Sequence, residues 1–135
     1  MLENEQDLKV PQGTFTLQRL PKRPHELLRA FDAADEYLLE TVAGLSADTR
    51  VLILNDNFGA LAVALSPWQP FAMSDSYLSQ QATRLNLISN ELPENSVKLL
   101  GSLEVLSGEF DLVLIKVPKT LALLEDQLHR LGPHL

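Results

Sequence analysis

Residues 51–59 constrain the fold of this chain more than any other segment. They begin with the run Val-Leu-Ile-Leu, which is typical of a strand buried on both faces of a parallel sheet. A polar turn follows, and residues 58–65 are predicted to form a short helix. In a doubly wound α/β fold, a cofactor lies at this strand–turn–helix position. Such a turn usually carries several glycines, because a Cβ blocks the approach of a ligand to the backbone, and here only Gly59 is present. The segment fits either a cofactor site or a purely structural turn.

The composition bounds the class of protein. A chain of 135 residues with 45% apolar and 21% charged residues is typical of a single globular domain. No apolar run approaches the roughly 20 residues that span a bilayer, and the first residues lack the features of a secretory signal. The absence of cysteine excludes disulfides, thiolate metal sites and cysteine nucleophiles. We therefore expect a cytoplasmic protein without membrane association.

Strands and helices alternate along most of the chain. Residues 1–13 are predicted to be a flexible terminus, residues 14–20 a half-exposed strand, and residues 24–45 an amphipathic helix. The remaining predicted strands are 51–55, 71–74, 97–100 and 110–115, and the remaining predicted helices are 58–65, 76–90 and 120–131. This order predicts an α/β fold with a mostly parallel sheet and helices on both faces. Because the chain stops where another strand should begin, we expect a fragment of a longer protein, truncated at the C-terminal end of the fold.

The inward face of the helix at 76–90 can be predicted from its apolar residues. Leu78, Ala82, Leu85 and Ile88 recur at intervals of three and four, which places them on one side of a helix. We expect that side to pack on the sheet.

Three segments carry a resemblance to a known family: ADEYLL at 34–39, VLILND at 51–56 and IKVPKTLALLE at 115–125. They resemble the amino-terminal half of bacterial 23S ribosomal RNA guanine-N2 methyltransferases, within the class I S-adenosylmethionine-dependent superfamily. The resemblance implies a Rossmann-like class I methyltransferase fold and a longer protein with two methyltransferase-like halves. Residues 14–135 would then be a degenerate copy, while the carboxyl-terminal half holds S-adenosylmethionine and performs the chemistry.

Compared with an active copy of that fold, the first and third strand ends have lost their binding residues. Ile53 stands where an acid precedes the turn, and the three glycine positions hold Asn55, Asn57 and Gly59. Asparagine tolerates left-handed backbone angles, so the path of the turn can persist without its open backbone. Ser102 stands where an aspartate would hold the adenine amine.

The fourth strand end has lost the catalytic motif. Amino-methylating relatives place Asn-Pro-Pro-aromatic there, whereas residues 116–119 are Lys-Val-Pro-Lys. The ammonium of Lys116 is only a donor and cannot accept a hydrogen bond from a target amine. The resemblance therefore implies no catalytic residue and no bound cofactor in this chain, with S-adenosylmethionine serving the longer protein.

If this chain nevertheless binds the cofactor, the residues that remain for it are Asp56, Gly59 and Asp75. Asp75 follows the second strand, where an acid takes the ribose hydroxyls in an active copy. Its alternative role is the N-cap of the helix at 76–90.

Two basic groups are candidates for RNA contact, although the net charge of −7 weighs against strong binding by the whole chain. The first is a basic patch that includes Arg19, Lys22 and Arg23, together with His25 and Arg29, and the second is the pair Lys116 and Lys119. The alternatives are ordinary surface charge for the patch and an exposed loop for the pair. The histidines His25, His129 and His134 lack the spacing of a metal site, so no metal is expected.

Three functional hypotheses follow. The leading one is a non-catalytic amino-terminal domain that supports the catalytic half and helps to recognise 23S rRNA, weakly or indirectly. The second is that this domain itself binds S-adenosylmethionine and methylates RNA. The third is a structural or dimerisation scaffold without RNA contact.

Overall fold

The computed structural model describes residues 7–20, 29–101, 108–116 and 121–134. Its strands are β1 (Asp7–Val10), β2 (Gly13–Thr16), β3 (Val51–Leu54), β4 (Phe71–Met73), β5 (Lys98–Leu100) and β6 (Leu112–Ile115). Its helices are α1 (Ala33–Thr41), α2 (Ala60–Ala64), α3 (Tyr77–Ser89) and α4 (Leu121–Leu131). Short 3₁₀ turns occupy Ser66–Trp68, Glu94–Ser96 and Gly132–His134.

The larger sheet has four parallel strands in the order β5-β4-β3-β6. Side chains of β3 alternate between two apolar clusters. Val51 and Ile53 pack with α1, α2 and α3, whereas Leu52 and Leu54 pack with Leu131 of α4. Since successive strand residues point to opposite faces of a sheet, helices cover both faces. The predicted α/β fold with a parallel sheet is confirmed.

The amino-terminal segment differs from its prediction. Residues 7–10, expected within a flexible terminus, form β1 and pair antiparallel with β2. Leu8 is fully buried in the core. Alternating polar and apolar residues in β1 and a short turn before Gly13 are features of a hairpin, and the structure corrects the expectation accordingly.

The first helix is shorter than the predicted span of 24–45. It begins at Ala33, because the Asp32 side chain accepts the Asp35 backbone N–H at 3.1 Å, while the Asp32 N–H donates to the Asp35 carboxylate at 3.0 Å. This reciprocal pair is a capping box, which fixes the start of a helix. Residues 21–28 lie outside the described part of the chain.

The inward face of α3 is rotated from the predicted one. Leu78 and Ile88 are 50% and 54% exposed, whereas Thr83, Asn86 and Leu87 are buried alongside Ala82. The prediction of Leu78 and Ile88 as core residues is therefore wrong. Within the described residues, no helix is long and apolar enough to cross a membrane.

Candidate functional site

A cleft of about 430 Å³ lies at the carboxyl edge of the parallel sheet. Its walls come from the turn after β3, the start of α3, the residue that follows β6, and the segments next to β2 and α1. Its lining includes Arg19, Arg29, Phe31, Asp32, Asp35, Asn57, Phe58, Ser76, Ser79 and Lys116. Doubly wound folds bind their ligands in a crevice at this edge, so the cleft is the candidate functional site.

An ion triad formed by Asp32, Asp35 and Lys116 joins α1 to the end of β6. The Lys116 Nζ lies 3.0 Å from an oxygen of Asp35 and 3.3 Å from Oδ2 of Asp32. Only 10% of the Lys116 side chain and 2% of the Asp35 side chain are exposed. Because both carboxylates already hold the ammonium, the geometry weighs against the predicted RNA contact at Lys116 and does not match the alternative of an exposed loop. Lys119 lies outside the described residues.

Burial and mutual attraction set the protonation of the ion triad. Burial raises the pKa of Asp35, against the attraction of Lys116. Burial also acts on Asp32, but the N–H of Asp35 and the charge of Lys116 together lower the pKa of Asp32. For Lys116, burial favours the neutral amine, yet the carboxylates of Asp35 and Asp32 raise its pKa overall. Lys116 is therefore a cation held between the carboxyl groups of Asp35 and Asp32.

A reciprocal amide pair fills the inner side of the turn after β3. Asn55 Nδ2 donates to Gln127 Oε1 at 3.0 Å, and Gln127 Nε2 donates to Asn55 Oδ1 at 2.9 Å. Asn55 Nδ2 also donates to the Lys116 carbonyl at 2.9 Å, and Asn55 has a left-handed φ of 65°. Asparagine thus keeps the glycine-like path of the turn, as expected, and its side chain ties the turn to α4 and β6.

Asp56 points into the protein, away from the cleft. It is 6% exposed, and its carboxylate accepts the backbone N–H of Ala62 at 2.9 Å and that of Leu61 at 3.4 Å. Burial raises the pKa of Asp56 to about 7, with a further contribution from the charge of Asp35. Asp56 therefore satisfies the first amides of α2, and this position does not suit it to hold a ligand in the cleft.

Gly59 is required by helix packing. It has a left-handed φ of 90°, and a Cβ built on it would lie 2.8 Å from both the Cα and the Oγ1 of Thr83. A side chain at residue 59 would therefore clash with the backbone of α3.

Asp75 is exposed and does not cap α3, so the N-cap role predicted for it is wrong. The cap is Ser76, whose hydroxyl accepts the Ser79 N–H at 3.1 Å, and the Ser76 N–H in turn donates to the Ser74 hydroxyl. Serine has the shorter side chain and stands at the residue whose backbone is still extended, which is the geometry of an N-cap.

The basic patch is described in part. The Arg19 guanidinium lies 4.8 Å from the centre of the Phe58 ring, and that of Arg29 lies 4.7 Å from the Phe31 ring. Both arginines line the cleft. Lys22 and Arg23, like His25, lie outside the described residues, so their predicted RNA contacts remain predictions.

Two asparagines that the sequence analysis did not single out attach the segment after β2 to α3. Asn86 accepts the Gln18 N–H at 2.8 Å and donates to the Gln18 carbonyl at 3.0 Å. Asn90, one turn later, makes the same pair of bonds with Thr16, at 2.9 and 2.8 Å. Asn86 also donates to the Phe58 carbonyl at 2.8 Å, so it fixes both Phe58 and the residue before Arg19. No local pattern in the sequence indicates these bonds, because their partners lie 68 and 74 positions earlier in the chain.

The described residues that line the cleft can bind a ligand through charge, hydrogen bonds and stacking. Its charged groups are the ion triad and two arginines stacked on phenyl rings. In the described ranges, no group of three or more histidine and acidic side chains is placed to hold a metal ion. Ser102 and residues 117–120 lie outside those ranges.

Comparison with known proteins identifies the family to which this chain is similar. The family model described as "RLMG N-terminal domain" matches residues 5–135. Similar curated proteins, all named ribosomal RNA large subunit methyltransferase G, come from Stutzerimonas stutzeri (52% identical), Erwinia tasmaniensis (52%) and Streptomyces griseus (44%). The alignments cover 95%, 92% and 90% of this chain and 35%, 33% and 33% of those proteins, respectively. The chain thus spans about a third of the length of the relatives it matches.

A solved structure of the glycopeptide N-methyltransferase MtfA with sinefungin is a more distant match. It superposes with a TM-score of 0.46 at 22% identity, over 73% of this chain and 44% of that chain. Similarity at this level supports no argument about the cleft.

Proposed function

Because the chain belongs to the RLMG N-terminal domain family, we propose that it is the non-catalytic amino-terminal domain of a 23S rRNA guanine-N2 methyltransferase. In this role it supports the catalytic part of the longer protein and contributes to recognition of the RNA. The longer protein would transfer a methyl group from S-adenosylmethionine to the exocyclic amine of a guanine. The length of the relatives, about three times that of this chain, leaves room for a separate catalytic part.

One observation carries the non-catalytic role: the groups nearest the cofactor position are engaged within the protein. Asp56 accepts amides of α2, Gly59 packs on α3, and Lys116 is paired with two carboxylates. A site for S-adenosylmethionine needs an acid that binds the ribose hydroxyls and a turn whose backbone is not covered by side chains. The sulfonium of this cofactor is a cation. The ammonium of Lys116 neutralises Asp32 and Asp35, and Asp56 is bonded to α2, so these groups do not supply that acid, which supports the proposal.

Calorimetry with S-adenosylmethionine tests this proposal. We expect no binding heat from the chain, whereas the longer protein binds the cofactor. Micromolar affinity of the chain would contradict the non-catalytic role and favour the alternative in which Asp56, Gly59 and Asp75 hold the cofactor. Asp75→Ala in the longer protein is a second test, since methylation survives if the cofactor lies elsewhere and is lost if Asp75 binds the ribose.

A scaffold without RNA contact is a second candidate, favoured by the net charge of −7 and by the internal pairing of Lys116. Replacement of Arg19, Lys22 and Arg23 by glutamate in the longer protein separates the two. Loss of RNA affinity, together with a shallower dependence of that affinity on salt, supports RNA recognition. Unchanged affinity and salt dependence support the scaffold.

A further inference from the structure

We propose that the cleft binds one unpaired ribonucleotide of the RNA, with its base stacked on the exposed guanidinium of Arg29, which Arg19 helps to position through the Arg29 carbonyl. This inference rests on the proposed role in RNA recognition and adds the form of RNA that the domain selects. The observations that carry it are two arginine–phenylalanine stacks, the rigidity of one of them, and the size and charge of the cleft.

The two stacks present planar cations at the cleft. The Phe58 ring covers one face of Arg19, and the Phe31 ring covers one face of Arg29. Phe31 itself is only 7% exposed, so its ring is fixed in the core, whereas Arg29 is exposed. Because both arginines line the cleft, we infer that a planar group in the cleft stacks on the guanidinium face opposite the ring. Unpaired bases in RNA complexes stack on guanidinium planes in this way.

The Arg19 stack is held in place before any ligand arrives. Arg19 Nη1 donates to the Arg29 carbonyl at 3.3 Å, which links the two stacks. Asn86 fixes the backbone on both sides of the first stack, since it bonds to Gln18 and to the Phe58 carbonyl. A preorganised stack loses little conformational entropy when a base binds.

The size and charge of the cleft favour a single nucleotide over a duplex. A volume of about 430 Å³ lies in the range of small-ligand sites, which suits one nucleotide rather than two paired strands. Among the described lining residues, the cations of Arg19, Arg29 and Lys116 outnumber the carboxyl groups of Asp32 and Asp35, which favours a ligand that carries a phosphate.

Fluorescence anisotropy with a labelled ten-nucleotide RNA that lacks self-complementarity tests the inference. The same strand annealed to its complement is the comparison ligand. Each of the two RNAs is titrated with the chain at the same low ionic strength. We expect tighter binding of the single strand. We also expect Arg29→Lys and Arg19→Lys each to weaken that binding about fivefold or more, because lysine keeps the charge and loses the stacking plane.

Arg130→Lys is the matched control. Arg130 lies on α4 and pairs with Asp126 at 3.2 Å, so its replacement should change affinity less than twofold. Unchanged urea midpoints confirm that the variants are folded, and Arg29 is exposed enough for its replacement to leave the fold intact. If Arg19→Lys does destabilise the chain, Arg29→Lys alone decides the test.

Three results would overturn the inference: equal affinity for single strand and duplex, no binding of either, or wild-type affinity in Arg29→Lys. Calorimetry with S-adenosylmethionine on the same samples separates this failure from failure of the proposed function. A chain that fails the RNA test and binds no cofactor retains its proposed non-catalytic role, whereas cofactor binding overturns that role independently of the RNA result.

Discussion

Gly59→Ala tests whether this glycine serves helix packing, and two separate strains determine its effect. The left-handed φ of 90° costs a side chain about 1–2 kcal/mol. The new Cβ would also lie 2.8 Å from the Cα of Thr83, a backbone atom that cannot move without shifting α3. Overpacking of this kind costs about 1–3 kcal/mol. We expect the free energy of unfolding to fall by about 2–5 kcal/mol, with both strains acting.

Gly44→Ala is the matched control for the backbone strain. Gly44 has a similar φ of 84°, yet a Cβ there would meet nothing within 4 Å. Only the left-handed strain of about 1–2 kcal/mol applies. The difference between the two variants, about 1–3 kcal/mol, therefore measures the contact with Thr83.

Urea unfolding followed by the fluorescence of Trp68, the single tryptophan, gives both free energies. Thr83→Ala in the Gly59→Ala background should restore part of the loss, because it removes Oγ1 and leaves the Cα in place. Equal losses in Gly59→Ala and Gly44→Ala would refute the packing argument. The absence of a side chain at Gly59 would then need another explanation, and the first to test would be a ligand that contacts the backbone there.

Three further predictions concern the buried polar groups. Lys116→Met should lower the free energy of unfolding by about 3 kcal/mol or more, because Asp35 is left buried without its cation. Adding Asp35→Asn should recover most of that loss. Urea unfolding of both variants measures the losses, and additive losses would contradict the pairing. Because burial raises the folded-state pKa of Asp56 to about 7, its contribution to stability is fully present below about pH 4 and is lost as the pH rises through 7. Asp56→Asn should therefore flatten the fall in unfolding free energy between about pH 4 and pH 7, and an unchanged slope would exclude this assignment. Asn86→Ala should destabilise the chain by about 2–3 kcal/mol and Asn90→Ala by about 1 kcal/mol, since the bonds of Asn90 to Thr16 are exposed. Thermal unfolding measures both variants, and equal shifts of the melting temperature would contradict the difference in burial.

The parallel sheet could be predicted because its central strand carries a local signal. Val51–Leu54 is apolar at every position, and this run occurs when both faces of a strand are covered. The predicted strands at 71–74 and 97–100 agree with β4 and β5 to within a residue. The α/β alternation then follows from the order of elements, without any knowledge of distant contacts.

The side of α3 that faces the core could not be predicted from apolar spacing. Asn86 is fully buried because its amide bonds to backbone groups of residues 18 and 58, and these partners are invisible to a count of apolar positions. Burying Asn86 turns Ile88 and Leu78 toward solvent. The helix is therefore oriented by a polar residue with satisfied hydrogen bonds.

The ion pairing at the cleft could not be predicted from the sequence either. Lys116 pairs with carboxylates 81 and 84 positions earlier in the chain, and no local pattern predicts a contact of that separation. The sequence did indicate that an active copy's motif was missing at residue 116. Only the structure shows that the replacement lysine is held internally.

The attachment of Asn86 and Asn90 to residues 18 and 16 has a consequence for how the chain is assembled. These bonds join residues 68 and 74 positions apart, while the β1–β2 hairpin pairs within ten residues of itself. On a ribosome the hairpin can close early and can meet α1 and α2, but its bonds to Asn86 and Asn90 cannot form until α3 has emerged. The Arg19 side of the cleft is therefore among the last parts of this half of the chain to form. A completed Arg19 side of the cleft therefore indicates that α3 has folded.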